Sequence, residues 1–373
     1  MANVEQRRER LWQNTRDEGL DALLITNPFN VTYLTGFTGD ASNLILTKNK
    51  ALLVSDGRFK EQIKEECPGL DAFIRSPAQT TQDATIEQLG KYAPRGVGFE
   101  SSHVVMADFE TFKEGTKTVD WKPSTNRVEK LRQVKDQGEI TAIRESIRIA
   151  ERAFAMFRAM LRPDDTEEDL TAAIEHYIRR AGGSDTAFDP IVAVGPRAAL
   201  PHAPPSLAKV SDDPVVLIDW GAESCLYKSD LTRVLWTYNK GTFPGGRPVS
   251  AKLEAVYAVV AEAQRRAIAA MRPGASSKAI DTAGRGYIAD QGYGEYFSHG
   301  LGHGFGLQIH EAPFFRPNID VPLEAGMVVT CEPGIYLPGE FGVRIEDDVL
   351  ITPDGAEVLT RCPRQLAECV VEF

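Results

Sequence analysis

Short apolar runs alternate with amphipathic stretches along the first 125 residues. The apolar runs lie at 22–26, 43–47, 51–54 and 97–100, and the helical patterns between them lie at 57–66 and 80–92. This alternation predicts a mixed sheet with flanking helices. Turn-forming residues cluster at 123–126, so we expect one domain over residues 1–125 and another over residues 126–373.

Two long helices are predicted after this linker, and each is ended by an Arg-Pro pair. Apolar residues recur at three- and four-residue steps over 140–161 and again over 253–271. A shorter helical pattern ending at glycine follows each stripe. The matched residues Arg162 and Arg272 lie 110 positions apart, which favours an internal duplication about a pseudo-twofold axis over chance similarity of two helical hairpins. The interface between two such halves is a natural place for a pocket.

Composition and charge exclude several classes of protein. Hydrophobic residues make up 42% of the chain and charged residues 25%, as in globular proteins. The net charge of -11 argues against a nucleic-acid partner or an anionic membrane surface. No apolar run approaches the ~18 residues that span a bilayer, and the first ten residues are too charged for a signal peptide. Five scattered cysteines favour a reducing compartment, so we expect a cytoplasmic enzyme.

Three histidines are interleaved with glycines in one short segment. They are His299, His303 and His310, with four glycines at alternate positions over 300–306. Each glycine would cost a helix about 1 kcal/mol relative to alanine, so we expect extended backbone. A phosphate-binding loop is the alternative, but the segment lacks the Gly-Lys-Ser/Thr ending. The pattern is more typical of a metal-binding or catalytic strand.

Four carboxylates end or adjoin apolar strand patterns. Asp219 follows the run 215–218, Asp230 lies in a second strand pattern, and Glu332 and Glu346 adjoin further strands. A buried aspartate is costly without a partner, and neighbouring carboxylates repel each other. The plainer interpretation, an aspartate that ends a strand and begins a turn, suits Asp219 better than Asp230, which lies within a strand pattern.

A turn near residues 223–225 would bring Asp219 and Asp230 onto one face. Together with His303, the four acids form an oxygen-rich donor set that suits two divalent ions, with manganese, cobalt or zinc as candidates. Arg344 lies two residues before Glu346, so the two are expected on one strand face. It would orient that acid, and a surface ion pair is the alternative.

These residues resemble those of the creatinase/methionine-aminopeptidase-like metallopeptidases, and most closely the Xaa-Pro peptidases (aminopeptidase P and prolidase). The resemblance covers about residues 126–370, and the stretch 30–37 extends it into the first domain. It implies an α/β (α+β) fold with an N-terminal creatinase-like mixed α/β domain and a C-terminal pseudo-twofold pita-bread domain. The metal ligands that it implies are Asp219, Asp230, His303, Glu332 and Glu346.

The resemblance also implies roles in catalysis and substrate binding. Glu332 would move a proton between water and the leaving proline nitrogen, and His310 would donate to the developing oxyanion. His202 would position the substrate and His299 would contact its proline side. Arg344 matches the arginine that precedes the last ligand in Xaa-Pro peptidases, and it is expected to bind substrate.

The implied activity is hydrolysis of the Xaa-Pro bond at the N-terminus of a peptide with proline in second position. Two divalent ions per subunit are implied, with manganese first and cobalt or zinc as alternatives, and so is a homodimer. Some dipeptide-specific prolidases carry an arginine four residues after the His310 equivalent, where this chain has Phe314; the nearest arginine is Arg316. We therefore expect the aminopeptidase P type. The alternatives are an Xaa-Pro dipeptidase (prolidase), a metal-free hydrolase of the creatinase type and a non-catalytic binding protein on the same fold.

Overall fold

A computed structural model describes residues 4–15, 18–243 and 246–373 of the chain. The chain divides into two compact units, Met1–Arg132 and Gln133–Phe373. Each unit contains its own sheets and its own hydrophobic core.

The first unit is built on a six-stranded mixed sheet with strand order β4-β3-β2-β1-β5-β6. Its elements are α1 Val4–Gln13, β1 Ala22–Ile25, α2 Pro28–Thr35, β2 Asn43–Thr47, β3 Ala51–Ser55, α3 Lys60–Glu66, β4 Asp71–Ile74, α4 Thr81–Tyr92, β5 Gly96–Glu100, α5 Met106–Gly115, β6 Asp120–Ser124 and α6 Arg127–Gln133. Strand β1 runs antiparallel to β2 and parallel to β5. The predicted mixed sheet with flanking helices is therefore confirmed.

The end of the first unit differs in detail from the predicted linker. Pro123 and Ser124 belong to β6, an edge strand, where a proline can be accommodated because one side of the strand needs no backbone donor. Helix α6 is tied to this unit through Asn30, whose amide donates to Glu129 and whose carbonyl accepts from Arg132 at 2.8 Å. These side chains explain why the compact unit extends to Arg132.

The second unit contains two helical hairpins and several short sheets. Its elements are α7 Gln137–Met160, α8 Glu167–Ala181, β7 Asp185–Thr186, β8 Ile191–Val194, β9 Val215–Trp220, β10 Ala222–Ser224, β11 Tyr227–Lys228, β12 Leu231–Tyr238, α9 Ala251–Ala270, α10 Ser277–Asp290, β13 Gly302–Gly304, β14 Glu311–Phe315, β15 Val328–Cys331, β16 Gly334–Leu337, β17 Phe341–Arg344, β18 Asp347–Thr352, β19 Gly355–Val358 and β20 Val370–Glu372. The two main sheets have the orders β20-β12-β9-β8 and β14-β13-β15-β18-β19.

Side-chain caps define where the four long helices of this unit begin. Asp136 and Thr166 form capping boxes at α7 and α8, and Ser250 and Ser276 accept a backbone hydrogen bond at α9 and α10. Helix α8 ends at Gly182, whose φ of 110° is a left-handed conformation that favours glycine. The repeated long-helix, short-helix order agrees with the stripes predicted from the sequence.

One backbone bridge links the two main sheets at the position of the predicted site. Strand β12 pairs with β9 so that Thr232 lies opposite Asp219. Thr232 also forms an isolated antiparallel bridge with Glu346, in the short connection between β17 and β18. Two acids that are far apart in sequence are thereby brought to the same threonine.

Candidate metal centre and active site

Asp230, His303 and Glu346 converge in the second unit. One potential ligand atom from each lies within 4.8 Å of the others, and all three side chains are buried. His303 is the central residue of β13, and its Nε2 lies 3.6 Å from Asp230 Oδ2 and 3.4 Å from Glu332 Oε1. The strand predicted from the histidine and glycine pattern is present, and its imidazole faces two of the predicted acids.

Asp219 adjoins this group from strand β9. Its Oδ2 accepts a hydrogen bond from Arg344 Nη2 at 2.5 Å, whereas its buried Oδ1 has no hydrogen-bond partner among the residues that the structure describes. Buried carboxylate oxygens are normally paired, so the second oxygen is available to a cation.

The protonation state of His303 suits metal coordination. Burial lowers the pKa of this histidine to about 3, so its imidazole is neutral. Nδ1 lies 3.0 Å from the carbonyl oxygen of Gly304, which can only accept, so Nδ1 carries the proton. The lone pair is therefore on Nε2, the atom that faces Asp230 and Glu332.

Burial and mutual repulsion disfavour the charged forms of the acids in this cavity. Burial, reinforced by Glu346 and Asp219, raises the pKa of Asp230 well above its usual value. Burial likewise raises the pKa of Glu332 to about 7, and that of Glu346 is raised by burial and by Glu332. Divalent cations stabilise the charged forms of crowded carboxylates. Four carboxylates and one neutral imidazole are thus a donor set that fits two such ions.

Arg344 is held in place by the protein on every side. Its Nε donates to Thr232 Oγ1 at 3.0 Å, Nη1 to Tyr336 Oη at 2.7 Å and Nη2 to Asp219. Thr232 Oγ1 in turn donates to Glu346 Oε2 at 2.6 Å. Arg344 therefore orients two predicted ligands, one directly and one through Thr232, and its role in substrate binding stays a prediction.

Both ring nitrogens of His299 make hydrogen bonds within the protein. Nδ1 lies 2.8 Å from the carbonyl oxygen of Gly300 and Nε2 lies 2.8 Å from Tyr336 Oη. Burial lowers the pKa of this histidine to about 3, so Nδ1 donates and Nε2 accepts from the tyrosine. His299 consequently offers a substrate its ring edge rather than a free nitrogen.

Two residues of this network, Thr232 and Tyr336, were missed in the sequence. The signal for Tyr336 was a single phenol in the short apolar run 335–337, and the signal for Thr232 was its position two residues after Asp230. Neither signal identifies a partner, because both contacts cross to residues distant in sequence.

A single cavity of about 380 Å³ gathers every residue predicted for the site. The predicted residues that line it are His202, Asp219, Asp230, His299, His303, His310, Glu332, Arg344 and Glu346. His202 is exposed, and the His310 ring meets the His303 ring edge-on with centroids 4.6 Å apart. Arg316 also lines the cavity.

Two local details of the sequence interpretation were wrong. Asp230 lies outside a strand, between β11 and β12, because its backbone N–H donates to the Asp348 carboxylate at 3.2 Å instead of to a neighbouring strand. Arg344 and Glu346 do not share a strand face, because β17 ends at Arg344 and Glu346 pairs with Thr232. The turn predicted at 223–225 is present one residue later, with Cys225 and Leu226 at positive φ.

Comparisons with known proteins identify the family of the chain. Residues 141–353 match metallopeptidase family M24, and residues 7–134 match the creatinase/prolidase N-terminal domain. The chain belongs to metallopeptidase family M24. This membership confirms the predicted resemblance and fold, and makes the protein a metallopeptidase and therefore a hydrolase.

Relatives of this M24 peptidase match it over nearly the whole chain. It is 37% identical over 350 residues to the uncharacterized peptidase YqhT of Bacillus subtilis (93% of this chain, 96% of the relative) and 34% identical over 366 residues to the Xaa-Pro dipeptidase of Pyrococcus furiosus (97% and 100%). Among solved structures, the Xaa-Pro dipeptidase from Bacillus anthracis has a TM-score of 0.91 at 35% identity, covering 100% of both chains. The X-Pro aminopeptidase from Thermotoga maritima has a TM-score of 0.87 at 34% identity, covering 98% and 100%.

Within the ranges that the structure describes, no helix combines the length and the apolar character needed to cross a bilayer.

Proposed function

We propose that this M24 peptidase is an Xaa-Pro dipeptidase that hydrolyses the bond before a C-terminal proline. Relatives named Xaa-Pro dipeptidase, from Pyrococcus furiosus and Bacillus anthracis, support this alternative better than the aminopeptidase P type that Phe314 led us to expect. The observation that carries the proposal is the position of Arg316 in the cavity wall.

Arg316 lies two residues after Phe314 and directly follows the last residue of β14, Phe315. Side chains two residues apart in extended chain lie on the same face, so this displacement keeps an arginine on the side where dipeptide-specific prolidases carry theirs. Its guanidinium stacks on the Phe314 ring at 4.9 Å from the centroid. Within residues 4–15, 18–243 and 246–373 it makes no ion pair, so it is available for the terminal carboxylate of a dipeptide.

The other residues of the cavity would supply the rest of the chemistry. Asp219, Asp230, His303, Glu332 and Glu346 would hold two divalent ions, with manganese first and cobalt or zinc as alternatives. Such ions, when bound, lower the pKa of water and polarise a carbonyl. Chelation followed by addition of each metal in turn identifies the one that restores turnover.

Proton transfer is assigned to Glu332 and hydrogen bonding to the histidines. Glu332 lies in the cavity wall among the predicted metal ligands, so its carboxylate would accept a proton from the attacking water and pass it to the leaving proline nitrogen. His310 would donate to the developing oxyanion, and His202 would position the substrate. His299 would pack its ring edge against the proline, which has no N–H to be recognised.

Replacing Arg316 with glutamine is expected to raise the KM for an Xaa-Pro dipeptide about tenfold or more, because a charge-assisted hydrogen bond contributes about 1.5–3 kcal/mol. Turnover of the corresponding Xaa-Pro amide, which has no terminal carboxylate, should change little. The measurement is kcat and KM for both substrates, with R272Q as the matched control because Arg272 is exposed and lies outside the cavity wall.

The wild-type enzyme is expected to prefer Xaa-Pro over both Xaa-Pro-Yaa and the Xaa-Pro amide. Equal cleavage of the three substrates, with R316Q unchanged, would support the aminopeptidase P type instead. Absence of cleavage of all three in the metal-loaded enzyme would refute both types.

The cysteines bear on cellular location, and the family resemblance bears on assembly. All five cysteines are free thiols, which supports a reducing compartment such as the cytoplasm. The homodimer implied by the family resemblance stays a prediction, and light scattering coupled to gel filtration measures it.

A further inference from the structure

A buried ion pair lies behind the segment that carries His310. Lys135 Nζ is 3.4 Å from Glu311 Oε2, and the two side chains are 1% and 6% exposed. Both residues lie outside the cavity wall, and the proposed chemistry does not use them. A buried ion pair adds little net stability compared with well-packed apolar residues, so its position beside a proposed catalytic histidine calls for another explanation.

The lysine is anchored by the backbone of the second unit. Its neighbour Val134 forms an antiparallel bridge with Met327, and the Lys135 N–H donates to the Gly326 carbonyl at 2.9 Å. Gly326 in turn donates to Ile351 of β18 at 2.8 Å. The ammonium group therefore extends from a position fixed to the five-stranded sheet.

The glutamate closes the loop between β13 and β14. Glu311 Oε1 accepts the N–H of Gln308 at 2.9 Å, while Oε2 faces Lys135. Gly306 donates to the Gln308 carbonyl at 2.9 Å. A Cβ on Gly306 would come within 3.2 Å of Lys135 Cε and 3.3 Å of the Glu311 carboxylate, so the loop packs directly against the ion pair.

His310 is the last residue of this loop and directly precedes Glu311. Its ring packs edge-on against the ring of His303, at 4.6 Å between centroids. We propose that the Lys135–Glu311 pair positions His310 against His303 and acts on catalysis through His310 alone. The kinetic part of this inference rests on the proposed function, because it is measured with an Xaa-Pro substrate.

The kinetic test compares K135M in two backgrounds. In the otherwise wild-type enzyme, K135M should lower kcat for Xaa-Pro about ten- to a hundredfold with KM and bound metal little changed, since a displacement of about 1 Å costs up to about a hundredfold. In an H310A background, K135M should lower kcat no further. The matched control is K252M, which removes the exposed Lys252–Glu340 pair and should have no effect in either background.

A second readout is independent of activity. The chain has six histidines, so the His310 imidazole signal in an NMR spectrum of metal-free protein is assigned by its loss in H310A. That signal should shift in K135M and stay in place in K252M. If K135M does not fold, the same measurements are made on E311Q, which keeps the shape of the side chain.

The outcomes separate the two proposals. Inactivity of the wild-type enzyme towards Xaa-Pro refutes the proposed function, and the NMR shift still tests the positioning of His310. An unchanged His310 signal in K135M or E311Q, or an equal loss of kcat in the wild-type and H310A backgrounds, overturns the positioning role.

Discussion

Replacing Asp230 with asparagine is expected to lower Xaa-Pro turnover by more than about a hundredfold, because even a residue that only supports a metal ligand contributes about 10–100-fold. Burial raises the pKa of Asp230, and the neighbouring charges of Glu346, Asp219 and Glu332 raise it further. The amide keeps the size of the side chain but removes the charge that would help to hold a divalent cation. The measurements are kcat/KM and the metal bound per subunit.

The stability of D230N should separate this effect from misfolding. In metal-free protein the substitution removes a repelling charge, so the melting temperature is expected to stay level or rise. Added metal should raise the melting temperature of the wild type through mass action but not that of D230N. The control is D354N, at an exposed aspartate, which should behave as the wild type. Undiminished turnover and metal binding in D230N would remove this residue from the metal site.

Much of the fold could be predicted because its helices carry long periodic stripes with clear ends. Stripes over 140–161 and 253–271 correspond to α7 Gln137–Met160 and α9 Ala251–Ala270. Their starts are set by local capping residues such as Asp136, and such signals depend only on neighbours in sequence. The residues that meet in the cavity could be singled out for a related reason, since a buried acid at the end of an apolar run, such as Asp219, is chemically conspicuous; their roles stay predictions.

The contacts between those residues could not be predicted from the same local patterns. Thr232 reaches Glu346 across 114 positions, and Lys135 reaches Glu311 across 176. Such pairs depend on which strands meet, and that is decided by tertiary packing. The importance of Arg316 was overlooked for another reason. Because position 314 is not an arginine, we expected the aminopeptidase P type. Alternate residues of a strand lie on the same face, however, so an arginine at position 316 could also be expected on the face where dipeptide-specific prolidases carry theirs.

Replacing Arg344 with methionine is expected to destabilise the metal-free protein by about 3–5 kcal/mol, the usual cost of removing one partner of a buried ion pair. The guanidinium contacts Asp219, Thr232 and Tyr336, and its positive charge offsets the charges of the neighbouring acids. Without it, the buried Asp219 carboxylate loses its charged partner. The free energy of unfolding is measured in urea, with and without metal.

Bound divalent ions would neutralise the same acids, so metal should recover a larger share of stability in R344M than in the wild type. R344K separates charge from geometry, because lysine keeps the cation but cannot hold Asp219, Thr232 and Tyr336 at once; its stability should be intermediate and its turnover low. R144M removes the exposed pair with Glu357 and should cost under about 1 kcal/mol. A loss in R344M no larger than in R144M would mean that the acids of the cavity are neutralised by something other than this arginine, most simply by protons, and Arg344 would then serve only to orient its neighbours.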